Sequence, residues 1–173
     1  NDPRIPTHVD LGLHHEQQHQ ELLVTDTKHM FAQNPTYPEV VEETVVPDHT
    51  QPAGPADWVE FEAALHEIGY GGEAFSFDNE RPRHEVRLYP FELARRPVTC
   101  GEFIDFIEDG GYQRPDHWLS DGWATVQRED WDSPLYWQKR DGDWFVYTLA
   151  GLRKVDTEVP VCHVSYYEAD AFA

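Results

Sequence analysis

The sequence predicts an α+β protein in which a long helix is followed by a proline-rich linker and then by a domain of short strands and helices. Three observations predict this order. A segment without proline runs from Thr7 to about Gln33, five prolines fall between residues 35 and 56, and short β-like segments alternate with turns from Asp57 onward. We therefore divide the chain into residues 1–36, 37–56 and 57–173.

The first segment has the spacing of an amphipathic helix. Pro6 and Thr7 are start signals, and the Asn34-Pro35 pair is a stop signal, because the residue before a proline avoids helical backbone angles. The apolar positions that recur along this segment are Leu11, Leu22, Leu23, Met30 and Phe31. In the linker, the stretch at residues 40–46 is expected to add a short strand.

The third segment alternates strands and helices. We expect strands at residues 58–62, 74–77, 84–93 and 144–149, the last after an Asp141-Gly142 turn. A helix over residues 98–108 is predicted by Thr99 as N-cap, with Glu102 three positions later. Ser165 and Glu168 repeat that pattern and predict a helix over residues 165–173.

Composition excludes several classes of protein. Aromatic residues make up 13% of the 173 residues, which is typical of a folded chain and not of a disordered one. The formal net charge of −20 disfavours nucleic acid and anionic membranes as partners; it fits either a high-salt protein or a generic acidic surface. Two cysteines, no signal peptide and no apolar run of about 20 residues indicate a cytoplasmic location. The absence of an initiator Met and an end within a helix at Ala173 indicate an internal fragment.

The histidines of the first helix are the strongest candidates for chemistry. At 100° per residue, His19 falls about 40° from His15, Asp26 at about 20° and Gln18 at about −60°. His15 and His19 therefore share one face, one turn apart, and two imidazoles at this spacing reach one metal ion. His14 points to the side. The competing interpretation is a histidine-rich helix that only packs or is solvated.

A zinc peptidase is the main rival among metal sites. His15, Glu16 and His19 form an HExxH pattern, in which the glutamate is the general base on a zinc-bound water. Leu22 stands where one large peptidase class has glycine. Glu39 or Glu43 would then be a third ligand.

Longer stretches resemble a known family. GLHHEQQHQELLVTDTKH, at residues 12–29, resembles the metal helix of the DinB-like domain in ergothioneine-biosynthesis sulfoxide synthases. GGEAFSFDNERPRHEVRLYPFELARRPVT, FIDFIEDGGY, WLSDGW, SPLYW and PVCHVSYYEADAFA follow in the order found in the first part of a formylglycine-generating-enzyme-like domain. Together these motifs cover nearly the whole chain.

The resemblance implies a fold and a reaction. Residues 1–36 would end a DinB-like four-helix bundle, and residues 57–173 would begin a C-type-lectin-like α+β domain. Three histidines would hold Fe(II): His15, His19 and one that precedes Asn1. The enzyme would join the sulfur of cysteine or γ-glutamylcysteine to the imidazole of hercynine, with O₂ as oxidant. Gln18 would contact the imidazole substrate. Glu21 lies about 200° from His19 around the helix, so it could not bind the metal together with His15 and His19 and could only contact the groups around the ligands or another helix.

Other features of the third segment are expected to be structural. The tryptophans, with Tyr112, Tyr136 and Tyr147, favour core packing over an aromatic cage for a quaternary ammonium. Cys100 and Cys162 are expected to be buried, unreactive thiols, and His84, His117 and His163 to be structural. An ovothiol-type synthase acting on histidine and a non-catalytic lectin-like binding module stay open as alternatives.

Overall fold

The computed structural model describes residues 5–42 and 53–173. Helix α1 spans Ile5–Ala32, as the proline-free segment predicts. It ends where expected, because the side-chain oxygen of Asn34 accepts the backbone N–H of Thr36 at 3.0 Å in a local turn. None of its residues is buried. The strand expected at residues 40–46 is not formed at Val40 and Val41, and the rest of it lies outside the described residues.

The described residues form two compact units. The first contains the chain up to His29 and residues Trp58–Arg95, and the second contains the remainder. Among residues 5–42 and 53–173, no helix combines the length and the apolar character that a membrane span requires.

The first unit contains two antiparallel strand pairs. Strands β1 (Trp58–Phe61), β2 (Ala64–Ile68), β3 (His84–Leu88) and β4 (Phe91–Ala94) pair as β1 with β4 and β2 with β3. The single strand expected over residues 84–93 is therefore two strands. Tyr89 and Pro90 separate them, since proline has no N–H to donate to a ladder.

The prediction of a strand at residues 74–77 is wrong. This segment is a loop, followed by a 3₁₀ turn at Asp78–Glu80. The Arg81 guanidinium donates hydrogen bonds to the carbonyl oxygens of Gly72 at 2.9 Å and of Ala74 at 3.2 Å. These oxygens therefore accept from a side chain and not from a neighbouring strand. The strand that sequence missed, β2, forms because β3 provides its ladder partners.

The second unit packs helices against a three-stranded sheet. Helices α2 (Cys100–Glu108), α3 (Ser120–Glu129) and α4 (Tyr166–Phe172) accompany strands β5 (Trp137–Arg140), β6 (Asp143–Thr148) and β7 (Gly151–Lys154), in the order β5-β6-β7. The core is rich in aromatic side chains, which confirms the packing role expected for those that are buried there, whereas Trp58 is 63% exposed. Its buried members include Phe103, Tyr112, Trp118, Trp137, Trp144 and Tyr147.

Local signals placed the helix starts correctly. The Thr99 hydroxyl accepts the Glu102 N–H at 3.2 Å while the Glu102 carboxylate accepts the Thr99 N–H at 2.9 Å. Ser165 and Glu168 make the same reciprocal pair at the start of α4. Gly110 adopts φ 85° after α2, a conformation that favours glycine.

Candidate functional site

The two predicted metal-ligating histidines lie together on α1. The ring centroids of His15 and His19 are 4.3 Å apart, with the ring planes inclined at 60°. Both side chains are exposed. The helix thus presents two imidazoles side by side on one face, as the i,i+4 spacing predicts.

This spacing is close to that of shared coordination of one ion. Two imidazoles at neighbouring corners of a metal, each with a nitrogen about 2.1 Å from it, would have ring centroids roughly 4.6–5.3 Å apart for angles of about 90° to 109° at the metal. The observed 4.3 Å is slightly shorter than that interval. Among residues 5–42 and 53–173, no three His, Cys, Asp or Glu side chains are grouped as a metal site. Within the described residues, His15 and His19 are therefore a pair of neighbouring imidazoles that is not part of a larger group of metal-ligating side chains.

Glu16 contacts one of the two rings. Its carboxylate oxygen lies 3.5 Å from Nδ1 of His19. A carboxylate against one imidazole nitrogen orients the ring and leaves the other nitrogen, Nε2, for a metal. Glu39, which the peptidase interpretation offered as a ligand, instead pairs with Arg153 at 3.3 Å within the second unit; Glu43 lies outside the described residues.

Gln18 and Glu21 are exposed positions on the same helix. Gln18 immediately precedes His19 in the helix. The backbone oxygen of Glu21 accepts the Thr25 hydroxyl at 3.1 Å, a contact internal to the helix.

His14 has a role that the helical wheel did not predict. Its ring stacks on Phe75 with 4.0 Å between centroids and 14° between planes. Phe77 meets the same ring edge-on, with centroids 6.4 Å apart. The alternating aromatics of the AFSF sequence were the available signal, but they were interpreted as a strand.

A cavity of about 510 Å³ opens in the second unit. It is lined by aromatic and acidic side chains, among them Trp131, Tyr136, Trp137, Asp130, Asp132, His163 and Glu168. In the described part of the chain, no buried side-chain nitrogen or oxygen lacks a hydrogen-bond partner. The cavity therefore contains no buried polar side-chain atom that still needs a ligand.

Glu168 at this cavity is occupied by internal contacts. It is 4% exposed, and its carboxylate accepts the Tyr112 hydroxyl at 2.5 Å and the Ser165 N–H at 2.6 Å. Burial, followed by the nearby Glu168 carboxylate, raises the pKa of Tyr112 above its ordinary value. The phenol is therefore the donor in this pair.

Three histidines of the third segment contact neighbouring groups of the chain. His84 Nδ1 lies 2.9 Å from the Pro82 carbonyl oxygen. The His117 ring lies 6.2 Å from Phe106, and the His163 ring meets Tyr136 edge-on at 4.9 Å. The structural role expected for these three histidines stays a prediction.

The two cysteines differ. Cys100 is buried, and burial raises the pKa of its thiol to about 12, so it is an unreactive thiol as expected. Cys162 is exposed, so the expectation of burial is wrong there. It lies two residues after Pro160, which pairs with Thr99 in an isolated β-bridge.

Comparisons with known proteins agree with the motifs. Residues 49–173 match the sulfatase-modifying factor enzyme 1-like domain. The chain is 42% identical to hercynine oxygenase of Mycobacterium tuberculosis over 101 residues, which are 58% of this chain and 23% of that protein. It is 34% identical to hercynine oxygenase of Mycolicibacterium thermoresistibile over 106 residues, which are 61% of this chain and 23% of that protein. It is 27% identical to ergothioneine biosynthesis protein 1 of Schizosaccharomyces pombe over 47% of this chain and 8% of that protein. The matches therefore span about a quarter of the mycobacterial relatives, and they confirm the resemblance to the ergothioneine-biosynthesis family.

Proposed function

Because this chain belongs to the family of sulfatase-modifying factor enzyme 1-like domains, we propose that it acts within a non-haem iron(II)- and O₂-dependent sulfoxide synthase of ergothioneine biosynthesis. The relatives named hercynine oxygenase support this activity. The observation that carries the proposal to particular residues is the pair of imidazoles 4.3 Å apart on α1.

His15 and His19 would hold the iron through one nitrogen each. Imidazole ligands suit Fe(II) and leave open positions for a thiolate and for dioxygen. When bound, Fe(II) would supply the electron transfer that couples the thiol to O₂. The third histidine is expected outside the described residues.

The neighbouring residues would orient and select. Glu16 would hold the His19 ring through its 3.5 Å contact with Nδ1, since a carboxylate partner fixes the tautomer of a metal-binding imidazole. Gln18 would hydrogen-bond the imidazole of the acceptor substrate at the flank of the histidine pair.

The overall reaction balances with one O₂. The acceptor loses the hydrogen of an imidazole C–H bond and the donor loses its S–H hydrogen, and the carbon and sulfur become bonded. One oxygen atom enters the sulfoxide and the other leaves as water with both hydrogens. Two electrons come from C–S bond formation and two from oxidation of the sulfur.

The exposed apolar residues of α1 support the proposed helical bundle. Leu22, Leu23 and Met30 are all more than half exposed in the described residues, although leucine and methionine are usually covered. We propose that residues 1–36 end a DinB-like bundle whose other helices cover this face. Residues 37–56 would be the linker and residues 57–173 the start of the lectin-like domain.

Hercynine is favoured over histidine as the acceptor because the relatives with the highest identity given above are named hercynine oxygenases. The ovothiol-type reaction is the alternative, and the sulfur donor is cysteine or γ-glutamylcysteine. We also propose a cytoplasmic enzyme that acts on small molecules and binds neither nucleic acid nor membrane, consistent with its net charge of −20.

The test is a product assay on the full-length enzyme loaded with Fe(II). Hercynine and histidine are supplied separately, each with cysteine or γ-glutamylcysteine, in air and under anaerobic conditions. We expect an O₂-dependent sulfoxide of hercynine, identified by mass spectrometry. A sulfoxide product formed with histidine and not with hercynine would favour the ovothiol-type reaction. Absence of any C–S bonded product from all four pairs would contradict the proposal.

A further inference from the structure

His14 differs from its neighbours along α1. No residue of this helix is buried, and Leu13 and His15 on either side of His14 are exposed, whereas His14 is half-buried. Within the described residues, the contact at His14 can therefore fix the rotation of α1 about its own axis, in addition to the helices proposed to cover Leu22, Leu23 and Met30.

The contact that half-buries His14 is a cluster of three rings. His14 lies face to face on Phe75, at 4.0 Å and 14°. Phe77 stands edge-on to His14 at 6.4 Å and to Phe75 at 5.0 Å, with an interplanar angle of 83° for the two phenyl rings. Stacked and edge-to-face arrangements of this kind stabilise aromatic pairs beyond what the buried area alone contributes.

The loop that carries the two phenylalanines is itself held. Arg81 binds the carbonyl oxygens of Gly72 and Ala74. The Glu80 carboxylate accepts the Phe77 N–H at 2.7 Å. The side chains that meet His14 are therefore mounted on a loop fixed from both sides, and not on a free segment.

Holding His14 holds the two residues that would bind metal. His14 is adjacent to His15, and a rotation of the helix by about 10° would move a ring nitrogen roughly 6 Å from the axis by about 1 Å. Binding constellations must be held to about 0.5 Å. A helix free to rotate by that amount would lose the shared geometry of His15 and His19 toward any third ligand.

Resting on the proposed function, we infer that His14 is a positioning residue: its ring, clamped by Phe75 and Phe77, sets the rotation of α1 so that His15 and His19 present their nitrogens to one metal ion. His14 acts through its flat aromatic face. It is not a ligand, because its ring lies against Phe75 and points about 100° away from His15 around the helix.

The test compares His14→Ala with His14→Phe in the full-length protein. A phenyl ring can stack on Phe75 but has no nitrogen to bind metal or donate a hydrogen bond. Alanine favours the helix more than histidine does, so loss of function in His14→Ala would not come from helix propensity. His15→Ala reports on the proposed metal site itself.

The readouts are the affinity for Co(II), used as a spectroscopic substitute for Fe(II), and the position and intensity of the Co(II) visible absorption bands. We expect His14→Ala to lower the affinity by about 10-fold to 100-fold, the range for residues that orient ligands, and to change the bands. We expect His14→Phe to restore both to wild type.

The outcomes separate the two proposals. Retained Co(II) binding in His15→Ala would contradict the proposed metal site. Loss of binding in His15→Ala together with wild-type affinity and bands in His14→Ala would overturn only the positioning role. A folded His14→Phe protein, judged by its thermal unfolding, that behaves like His14→Ala would also overturn it, because a ring nitrogen would then be required.

Discussion

The hydroxyl of Tyr112 donates a 2.5 Å hydrogen bond to the carboxylate of Glu168, which is 56 residues away in the sequence and only 4% exposed. This bond joins the chain after α2 to α4, whose N-cap Ser165 is bonded to the other oxygen of the same carboxylate. One buried side chain therefore serves both as the acceptor for a core tyrosine and as half of a capping box.

Tyr112→Phe is expected to destabilise the protein. It removes a donor to a buried carboxylate without removing the ring, and an unsatisfied buried acceptor costs about 1–3 kcal/mol. The free energy of unfolding in urea should fall by that amount. Tyr166→Phe, which removes the same atom from a side chain that is 71% exposed, is the matched control and should change little. Equal effects of the two variants would contradict the role given to the buried bond.

The Arg96–Glu102 pair predicts a pH dependence. Hydrogen bonding by Arg96, and then by the Thr99 backbone, lowers the pKa of Glu102 from 4.5 to about 2. A lowered pKa in the folded state means that the ionised carboxylate stabilises the fold above about pH 4.5 and that this stabilisation is lost as the pH falls toward 2. Over that interval the wild type should lose stability relative to Glu102→Gln.

The measurement is urea unfolding at several pH values between 2 and 7. The difference in free energy of unfolding between wild type and Glu102→Gln should be largest above pH 4.5 and should shrink toward pH 2. Glu73→Gln, at an exposed position, provides the control. A difference that is independent of pH would contradict the assigned pKa shift.

The two cysteines should react differently with an alkylating reagent. Cys162 is exposed, while Cys100 is buried and its pKa is raised to about 12, so only Cys162 should be labelled in the native protein. Mass spectrometry of peptides after iodoacetamide treatment measures this. Both should be labelled in urea. Native labelling of Cys100 at the rate of Cys162 would show that the thiol is accessible.

Local signals predicted what local interactions determine. The helix starts at Thr99 and Ser165 depend on bonds between residues three apart, and both were predicted. The i,i+4 geometry of His15 and His19 was predictable for the same reason, since a single helix fixes it. The α+β class and the family were predicted from the order of elements and motifs.

The features that sequence missed depend on distant partners. Strand β2 forms because it pairs with β3, with Ala64 opposite Leu88. Residues 74–77 form a loop because the Arg81 guanidinium donates hydrogen bonds to the carbonyl oxygens of Gly72 and Ala74. His14 stacks on Phe75, which lies 61 residues later in the sequence. No local pattern around His14 predicts this contact. The burial of one cysteine and exposure of the other likewise depend on tertiary packing.

Gln18 is expected to affect substrate binding and not metal binding. Gln18→Ala in the full-length enzyme should raise KM for the imidazole substrate about 3-fold to 10-fold, which corresponds to one hydrogen bond of roughly 0.5–1.5 kcal/mol. Bound iron should be unchanged. Gln17→Ala, about 160° from His15 around the helix on the other side, is the control and should leave KM unchanged. A loss of iron in Gln18→Ala, or an equal rise in KM for both variants, would contradict this assignment.

The most direct test of the account is the iron content of the full-length protein and of its His15→Ala and His19→Ala variants, loaded anaerobically with Fe(II) and freed of excess metal. We expect about one iron per chain in the wild type and in His66→Ala, a control histidine on the exposed strand β2. We expect loss of bound iron, and of C–S bond formation, in each of the other two variants, because each removes one of the paired imidazoles. Full iron stoichiometry in either His15→Ala or His19→Ala would contradict the account.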